Sequence, residues 1–280
     1  MKEVTYEQIA QLVEILCIRA ATVLPRETAD ALREARDTEP SDAGKQALSD
    51  IVENFLFARR SLTPICQDTG MVVVFAEVGQ DVHFTGGLFE DAVNEGVRRG
   101  YENGYLRKSV VKDPFRRVNT DDNTPAVIHT RIVEGDAIHF TLTPKGFGSE
   151  NMSAMKMLLP SDSIDDAVDF IVETVSKAGS NPCPPVVVGV GLGGTVDMAA
   201  VLAKKALTRD LDERNPDSFY AEAEQKALDK INELGIGPCG YGGRTTAIAV
   251  NIEAFPTHIA GLPMVVNIGC HVTRHARGVL

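Results

Sequence analysis

Pro64-Ile65-Cys66-Gln67-Asp68-Thr69-Gly70 sets a thiol, an amide, a carboxylate and a hydroxyl side by side in one turn. A thiolate ligates soft metals, and a carboxylate can take or give a proton, so the stretch suits ligation and acid–base work. Three more thiols occupy loops. Cys183 lies in Asn181-Pro182-Cys183-Pro184-Pro185, Cys239 in the glycine-rich run from Gly237 to Gly243, and Cys270 in Asn267-Ile268-Gly269-Cys270-His271. Zinc sites and ferredoxin clusters usually show paired C-x2-C ligands, and no such pair occurs here. Spacing alone leaves it open whether these loops meet. Cys17 differs, because it falls on an apolar helical stripe and reads as a small buried hydrophobe.

Two glycine motifs invite a ligand. Gly189-x-Gly191-x-x-Gly194, between a strand and a helix, satisfies the dinucleotide fingerprint by letter. No second strand ending in an acidic residue follows at the distance that fingerprint needs, so a nicotinamide dehydrogenase is a weak reading. A helix N-terminus open to a carboxylate or phosphate remains. The second motif, Lys145-Gly146-Phe147-Gly148-Ser149-Glu150-Asn151, reads as a polar loop whose N–H groups can meet an anion.

The elements around these loops follow from periodicity. Thr5 and Gln8 form a capping box ahead of a helix with Ile9, Leu12, Val13, Leu16, Cys17 and Ala20 on one face. A charged helix follows from about Glu27, then a turn at Glu39-Pro40-Ser41-Asp42 and a third helix through Leu48, Ile51, Val52 and Phe55. Met71 to Ala76 is a β-branched run, hence a buried strand. Gly86-Gly87 opens a helix through Phe89, Val93 and Val97; Arg107 to Val111 follows, and the polar segment from there to Thr124-Pro125 forms a long loop. Val127 to Val133 and Ala137 to Leu142, joined by Glu134-Gly135-Asp136, predict a hairpin. Ser163 caps the next helix, a strand runs from Val186 to Val190, and Asn215-Pro216-Asp217 starts a further helix. Strands are expected over Thr246 to Ile252 and Met264 to Ile268. The fold class is therefore mixed α/β: a helical lead-in to about residue 60, then a mixed sheet with flanking helices and glycine-rich loops, read as one domain over 1–280.

Composition narrows the partners. A formal net charge of −11 and no basic run argue against nucleic acid or an acidic membrane surface. No uninterrupted apolar stretch approaches the roughly 20 residues a membrane helix needs. Ile9 to Leu24, interrupted by Glu14 and Arg19, reads as an amphipathic helix rather than a signal peptide. Five cysteines without close spacing do not make a disulfide framework, and a reducing cytoplasm is the expected compartment.

The three motifs at Cys66, Cys183 and Cys270, with Arg274-His275-Ala276 just after the last, resemble the iron–sulfur-dependent class I fumarase and tartrate dehydratase family. Gly146 to Asn151, Gly191 to Thr195, Gly237-Pro238 and Gly242-Gly243 match in the same order. The resemblance implies a 4Fe-4S cluster held by Cys66, Cys183 and Cys270, with one open iron as Lewis acid. Cys239 falls where the family places no ligand. The resemblance further implies substrate contacts at Gln67, Asp68, Arg107 and the N–H of Gly148, with Asp68 and His258 as catalytic candidates. His271 and His275 are weaker candidates, and Phe147 departs from the small residues usual in that loop.

Single-chain members carry a second domain with further arginines, a lysine and the proposed proton-abstracting hydroxyl. Nothing of that kind occurs up to Leu280, so the expectation is the α subunit of the two-gene form, completed by a β subunit in a heterodimer or heterotetramer. The expected reaction is hydration of fumarate to malate. The alternatives are tartrate dehydration to oxaloacetate and a metal-free scaffold subunit.

Overall fold

In the computed structural model, which describes residues 2–280, helices and strands alternate along the chain. They are β1 (Lys2–Thr5), α1 (Tyr6–Thr22), α2 (Arg26–Thr38), α3 (Asp42–Ser61), β2 (Met71–Gly79), β3 (Val82–Thr85) and α4 (Phe89–Asn103). Next come β4 (Val127–Val133), β5 (Ile138–Lys145), α5 (Phe147–Glu150), β6 (Ala154–Leu158), α6 (Ile164–Ala178), β7 (Val186–Gly193) and α7 (Val196–Ala206). The chain ends with α8 (Ser218–Asn232), β8 (Ala247–Phe255), β9 (Leu262–Gly269) and β10 (Ala276–Val279). The mixed α/β expectation holds. The chain forms two compact units: one of residues up to Pro25, Phe55–Phe147 and Arg274–Leu280, the other of Arg26–Asn54 and Gly148–Thr273.

The first unit is built on a four-stranded sheet in the order β10-β5-β2-β4. The capping box forms as the sequence reads, with the Thr5 side chain on the Gln8 N–H and Gln8 returning to the Thr5 N–H. Ile9, Val13, Leu16 and Cys17 of α1 are buried in one core with Val72, Val74, Ile138, Phe140 and Leu142. By length and apolar composition alone Tyr6–Thr38 could pass for a membrane span, but the apolar side of α1 is spent on this core. Burial of that kind stabilises by about 25 cal/mol per Å² of apolar surface.

The hairpin expected from Glu134-Gly135-Asp136 does not form. β2 lies between β4 and β5, parallel to the former and antiparallel to the latter. Its end enters the connection between them: Gly79 N–H donates to Ala137 O (2.8 Å), Gln80 N–H to Val133 O (2.8 Å) and Asp81 N–H to Gly135 O (3.0 Å). β2 is mostly buried and bonded along both edges, so it outcompetes the direct pairing of its neighbours. The turn chemistry specified a reversal, and a third strand took the space inside it.

In the second unit the order is β6-β9-β7-β8, and all eight residues of β7 are buried. Val186, Val188, Val190 and Leu192 share a core with α6 and α8 residues such as Val168, Ile171, Ala227 and Ile231. The alternate residues include Gly189 and Gly191, which face α7. A Cβ at Gly191 would lie 1.9 Å from Ala199 O, and one at Gly189 would lie 2.2 Å from Ala203 O. These glycines let a helix backbone settle on a strand. The fingerprint letters at Gly189 and Gly191 thus have a packing cause, and the strand continues to Gly193 where the sequence reading put a loop.

Gly191→Ala is expected to destabilise this unit by about 1–3 kcal/mol through overpacking. Urea unfolding followed by circular dichroism measures it; an unchanged midpoint would contradict this packing account.

Candidate functional site

Strand register decides which loops share an edge. In the first unit Met71 pairs with Lys145, Ala276 with Leu142 and Val73 with Val127. The starts of β2, β4 and β10 and the end of β5 therefore lie at one end of the sheet. The segments feeding that end are the Cys66–Gly70 turn, the Arg107 loop, Gly146-Phe147 and Arg274.

Hydrogen bonds stitch these segments together. Thr69 Oγ1 donates to Arg107 O (2.8 Å). The Asp68 carboxylate accepts from Gly70 N–H (3.0 Å) and from Phe147 N–H (2.9 Å). Asp68 N–H lies 3.4 Å from Cys66 Sγ, and Cys66 Sγ lies 3.5 Å from Gln67 Oε1. The buried Tyr101 hydroxyl donates to Thr69 O (2.6 Å) and lies 3.0 Å from Gly70 O. Asn123, also buried, donates to Gly70 O (3.1 Å) and accepts from Ser109 N–H (2.7 Å). Gly70 has φ +75°, and a Cβ there would press on the Lys145 backbone at 2.8 Å, so only glycine fits. Sequence reasoning missed Tyr101 and Asn123, since neither belongs to a motif.

The second unit gathers its loops in the same way. Val187 pairs with Gly269, Val186 with Ala247 and Ala154 with Val266. The starts of β6, β7 and β8 and the end of β9 share one edge, fed by Gly148–Ser153, Cys183, Cys239 and Cys270-His271. His271 closes on Cys183: its N–H donates to Cys183 O (3.3 Å) and its Nδ1 lies 2.9 Å from the same oxygen. Cys183 is held at φ +55°, a left-handed conformation that costs a non-glycine residue free energy. Glu150 forms an ion pair with Lys204 and accepts from Asn267 Nδ2 (2.9 Å), tying the Gly148 segment to β9 three residues before Cys270. Burial pushes Lys204 below the usual lysine range, against the opposing pull of Glu150.

Gly148 has a different surrounding. The nearest atom to an added Cβ is Asn181 O at 3.9 Å, so neither packing nor backbone angle requires the glycine. Open space faces it. α5, a single helical turn, replaces the loop expected over Phe147 to Glu150.

His258 lies elsewhere. It follows β8 and precedes β9, and Thr257 Oγ1 donates to Gly194 O (3.0 Å), just beyond the far end of β7. Along the eight residues of β7 that is roughly 25 Å from the Cys183 edge. The sequence reading made His258 a catalytic candidate; within this unit the antiparallel run of β9 against β7 places it at the sheet end opposite Cys183 and Cys270. Its Nδ1 accepts from Ala260 N–H (3.1 Å), which puts the proton of the neutral ring on Nε2.

A sequence-family profile described as fumarate hydratase (Fumerase) matches residues 10–279. The chain belongs to the fumarate hydratase (Fumerase) family. It is 42% identical over 275 residues to a Methanocaldococcus jannaschii protein provisionally named L(+)-tartrate dehydratase subunit alpha, covering 96% of each chain. It is 31% identical over 283 residues to the L(+)-tartrate dehydratase subunit alpha of Escherichia coli K12, covering 100% of this chain and 92% of that one.

Cys183 is exposed, Cys66, Cys239 and Cys270 are half-exposed, and Cys17 is sealed in the core. Burial raises the Cys239 thiol above its usual range, with Cys183 and Asp50 adding to the effect.

Glu39, which the sequence suggested only as part of a turn, organises the glycine-rich loop beside Cys239. Its carboxylate accepts from Arg244 N–H (2.9 Å), Thr245 N–H (2.8 Å) and Ser41 N–H (3.1 Å). Burial works against its ionisation, but these donors together hold its carboxyl below the ordinary carboxylate range. Because the folded value is depressed, the stabilisation is full above the ordinary 4.5 and is lost as pH falls through the folded value. Glu39→Gln is expected to cost about 1–3 kcal/mol at pH 7 and to flatten the acid limb of the stability–pH curve. Urea unfolding between pH 3 and 7 checks both, and an unchanged acid limb would contradict the assignment.

Proposed function

We propose that this chain is the α subunit of an iron–sulfur hydro-lyase acting on a four-carbon dicarboxylic acid, with a β subunit completing the active site. The observation that carries the reading is the closure of His271 on the Cys183 carbonyl, which joins two expected ligand turns 88 residues apart. Cys66, Cys183 and Cys270 are the proposed ligands of a 4Fe-4S cluster in a reducing, cytoplasmic setting. Three thiolates leave one iron open, and that iron supplies Lewis acidity toward a substrate hydroxyl.

The chain's own residues then bind and orient the acid. Arg107, exposed and backbone-anchored by Thr69, suits a carboxylate through its planar, paired donors. The Gly148 N–H meets a substrate oxygen in the space its missing side chain leaves. Gln67 would offer the substrate an amide next to the Cys66 ligand. The Asp68 carboxylate, committed to Gly70 and Phe147 in this structure, keeps the ligand turn closed and gives up one of these bonds to contact substrate. His258 is at the opposite edge of its sheet, so its acid role belongs to a site completed by another chain. Proton abstraction is assigned to the β subunit.

Hydration of fumarate to malate is the first reading. The names of the relatives favour a second, dehydration of tartrate to oxaloacetate. The two substrates differ by one hydroxyl, so selectivity rests on hydrogen-bond partners for that group.

Anaerobic co-expression with a β subunit, then assay with malate and both tartrate enantiomers, tests the proposal. Turnover is expected only with both chains present. Arg107→Ala is expected to lower kcat/KM by about 10²-fold or more, consistent with loss of a charge-assisted bidentate contact. Turnover by the cluster-loaded α chain alone, or none with any of these acids, would overturn it.

A further inference from the structure

The long loop between α4 and β4 closes into a hairpin-like tip. Val111 and Asn119 form an antiparallel bridge, and Lys112 N–H donates to Val118 O (2.7 Å). Asp113 sets the turn. Its Oδ1 accepts from Phe115 N–H (3.0 Å) and Arg116 N–H (2.7 Å), and its carbonyl accepts from Arg117 N–H (3.0 Å). At the base, Asn119 Nδ2 donates to Lys108 O (3.0 Å), and Asn123 Oδ1 accepts from Ser109 N–H (2.7 Å).

The tip displays an aromatic ring among unpaired cations. Phe115 is 93% exposed and Val118 57%. Lys112, Arg116 and Arg117 are exposed and have no ion pair among the described residues, whereas Arg98 pairs with Asp122 and Lys108 with Glu102. From Arg107 to Val118 five cations stand against one acid, a net +4 in a chain of −11. Aromatic rings and arginine together are the composition of interface cores rather than of ordinary surface. A small dianion would use the cations and leave the ring bare. A protein face with an apolar recess among carboxylates uses both.

The occupant follows from where the loop is rooted. Arg107, at its start, is held by Thr69, and Asn123, at its end, donates to Gly70 O. Both anchors belong to the Cys66 turn, where the proposed site lacks the residues assigned to a β subunit. A chain that closes this site lies against the segment that carries Arg107, and the tip continues that segment.

We propose that residues 112–118 are a docking element for the β subunit, with Phe115 entering an apolar recess and Lys112, Arg116 and Arg117 facing carboxylates around it. This rests on the two-chain reading above and gives the partner's contact face its chemistry: acidic, with a pocket for one aromatic ring. Charges at the rim speed encounter, and the desolvated ring slows release.

The test titrates full-length α chain with separately purified β subunit by calorimetry and follows association by stopped flow at several salt concentrations. Phe115→Ala is expected to weaken the pair about thirtyfold or more, mainly through faster dissociation. Arg116→Glu combined with Arg117→Glu is expected to slow association about tenfold and to flatten its dependence on salt. Lys177→Glu reverses an exposed cation on α6 of the second unit and is expected to bind as the parent does. Because these side chains are exposed, each variant is expected to keep the parent's Tm.

Parent affinity in both Phe115→Ala and the double variant would overturn the inference. So would an equal loss in Lys177→Glu, which would mean that only net charge is read. Loss of α-chain self-association with α–β pairing intact would assign the tip to a second copy and overturn it too. If the parent chains do not associate at all, this inference and the two-chain reading fall together. Pairing that depends on Phe115, in a complex that turns over none of the acids, supports this inference while overturning the hydro-lyase reading.

Discussion

The structure depends on two central strands, β2 and β7, each hydrogen-bonded along both edges. A strand paired on both sides cannot slip by one residue without turning its buried face outward. The Cys66 turn leads directly into β2, and Cys183 lies three residues before β7. The register that buries Val72 and Val74, or Val186 and Val188, therefore also fixes where each thiol-bearing turn begins. Core packing and site geometry share one constraint.

Around each turn the polar chemistry follows from that placement. Carbonyls at the start of β2 have no strand partner beyond the sheet edge, and the Tyr101 hydroxyl and Asn123 amide satisfy them. Tyr101 comes from α4, packed in the core, and Asn123 from a buried stretch of the loop before β4. In the second unit, His271 does comparable work for the Cys183 carbonyl, and Glu150 anchors the Gly148 segment through Asn267 and Lys204. Preorganisation of this kind lowers the cost of assembling a multidentate site.

Much of this was legible in the sequence because it is local. Thr5 and Ser163 make the capping boxes their neighbours specify, and the β-branched runs at Val72 and Val186 become the buried strands. What the sequence could not show was non-local. The turn at Gly135 correctly marks a reversal, yet cannot reveal that β2 inserts between the arms. His258 lies twelve residues before Cys270 in the chain, and an antiparallel strand carries that separation across the whole sheet. β1, β3, β6 and β10 are short and take their identity from partners, which no propensity encodes. Glu39 reads only as part of a turn, and its role arises from backbone groups some 200 residues away in sequence.

The central claim is that Cys66, Cys183 and Cys270, and not Cys239, hold one inorganic cluster. Iron and acid-labile sulfide, counted in the anaerobically purified complex and in its four single Cys→Ser variants, test it most directly. The account predicts about four of each in the parent and in Cys239→Ser, with each of the other three variants losing most of both. A parent without iron, or a Cys239→Ser variant that loses its cluster while Cys66→Ser keeps it, would contradict the account.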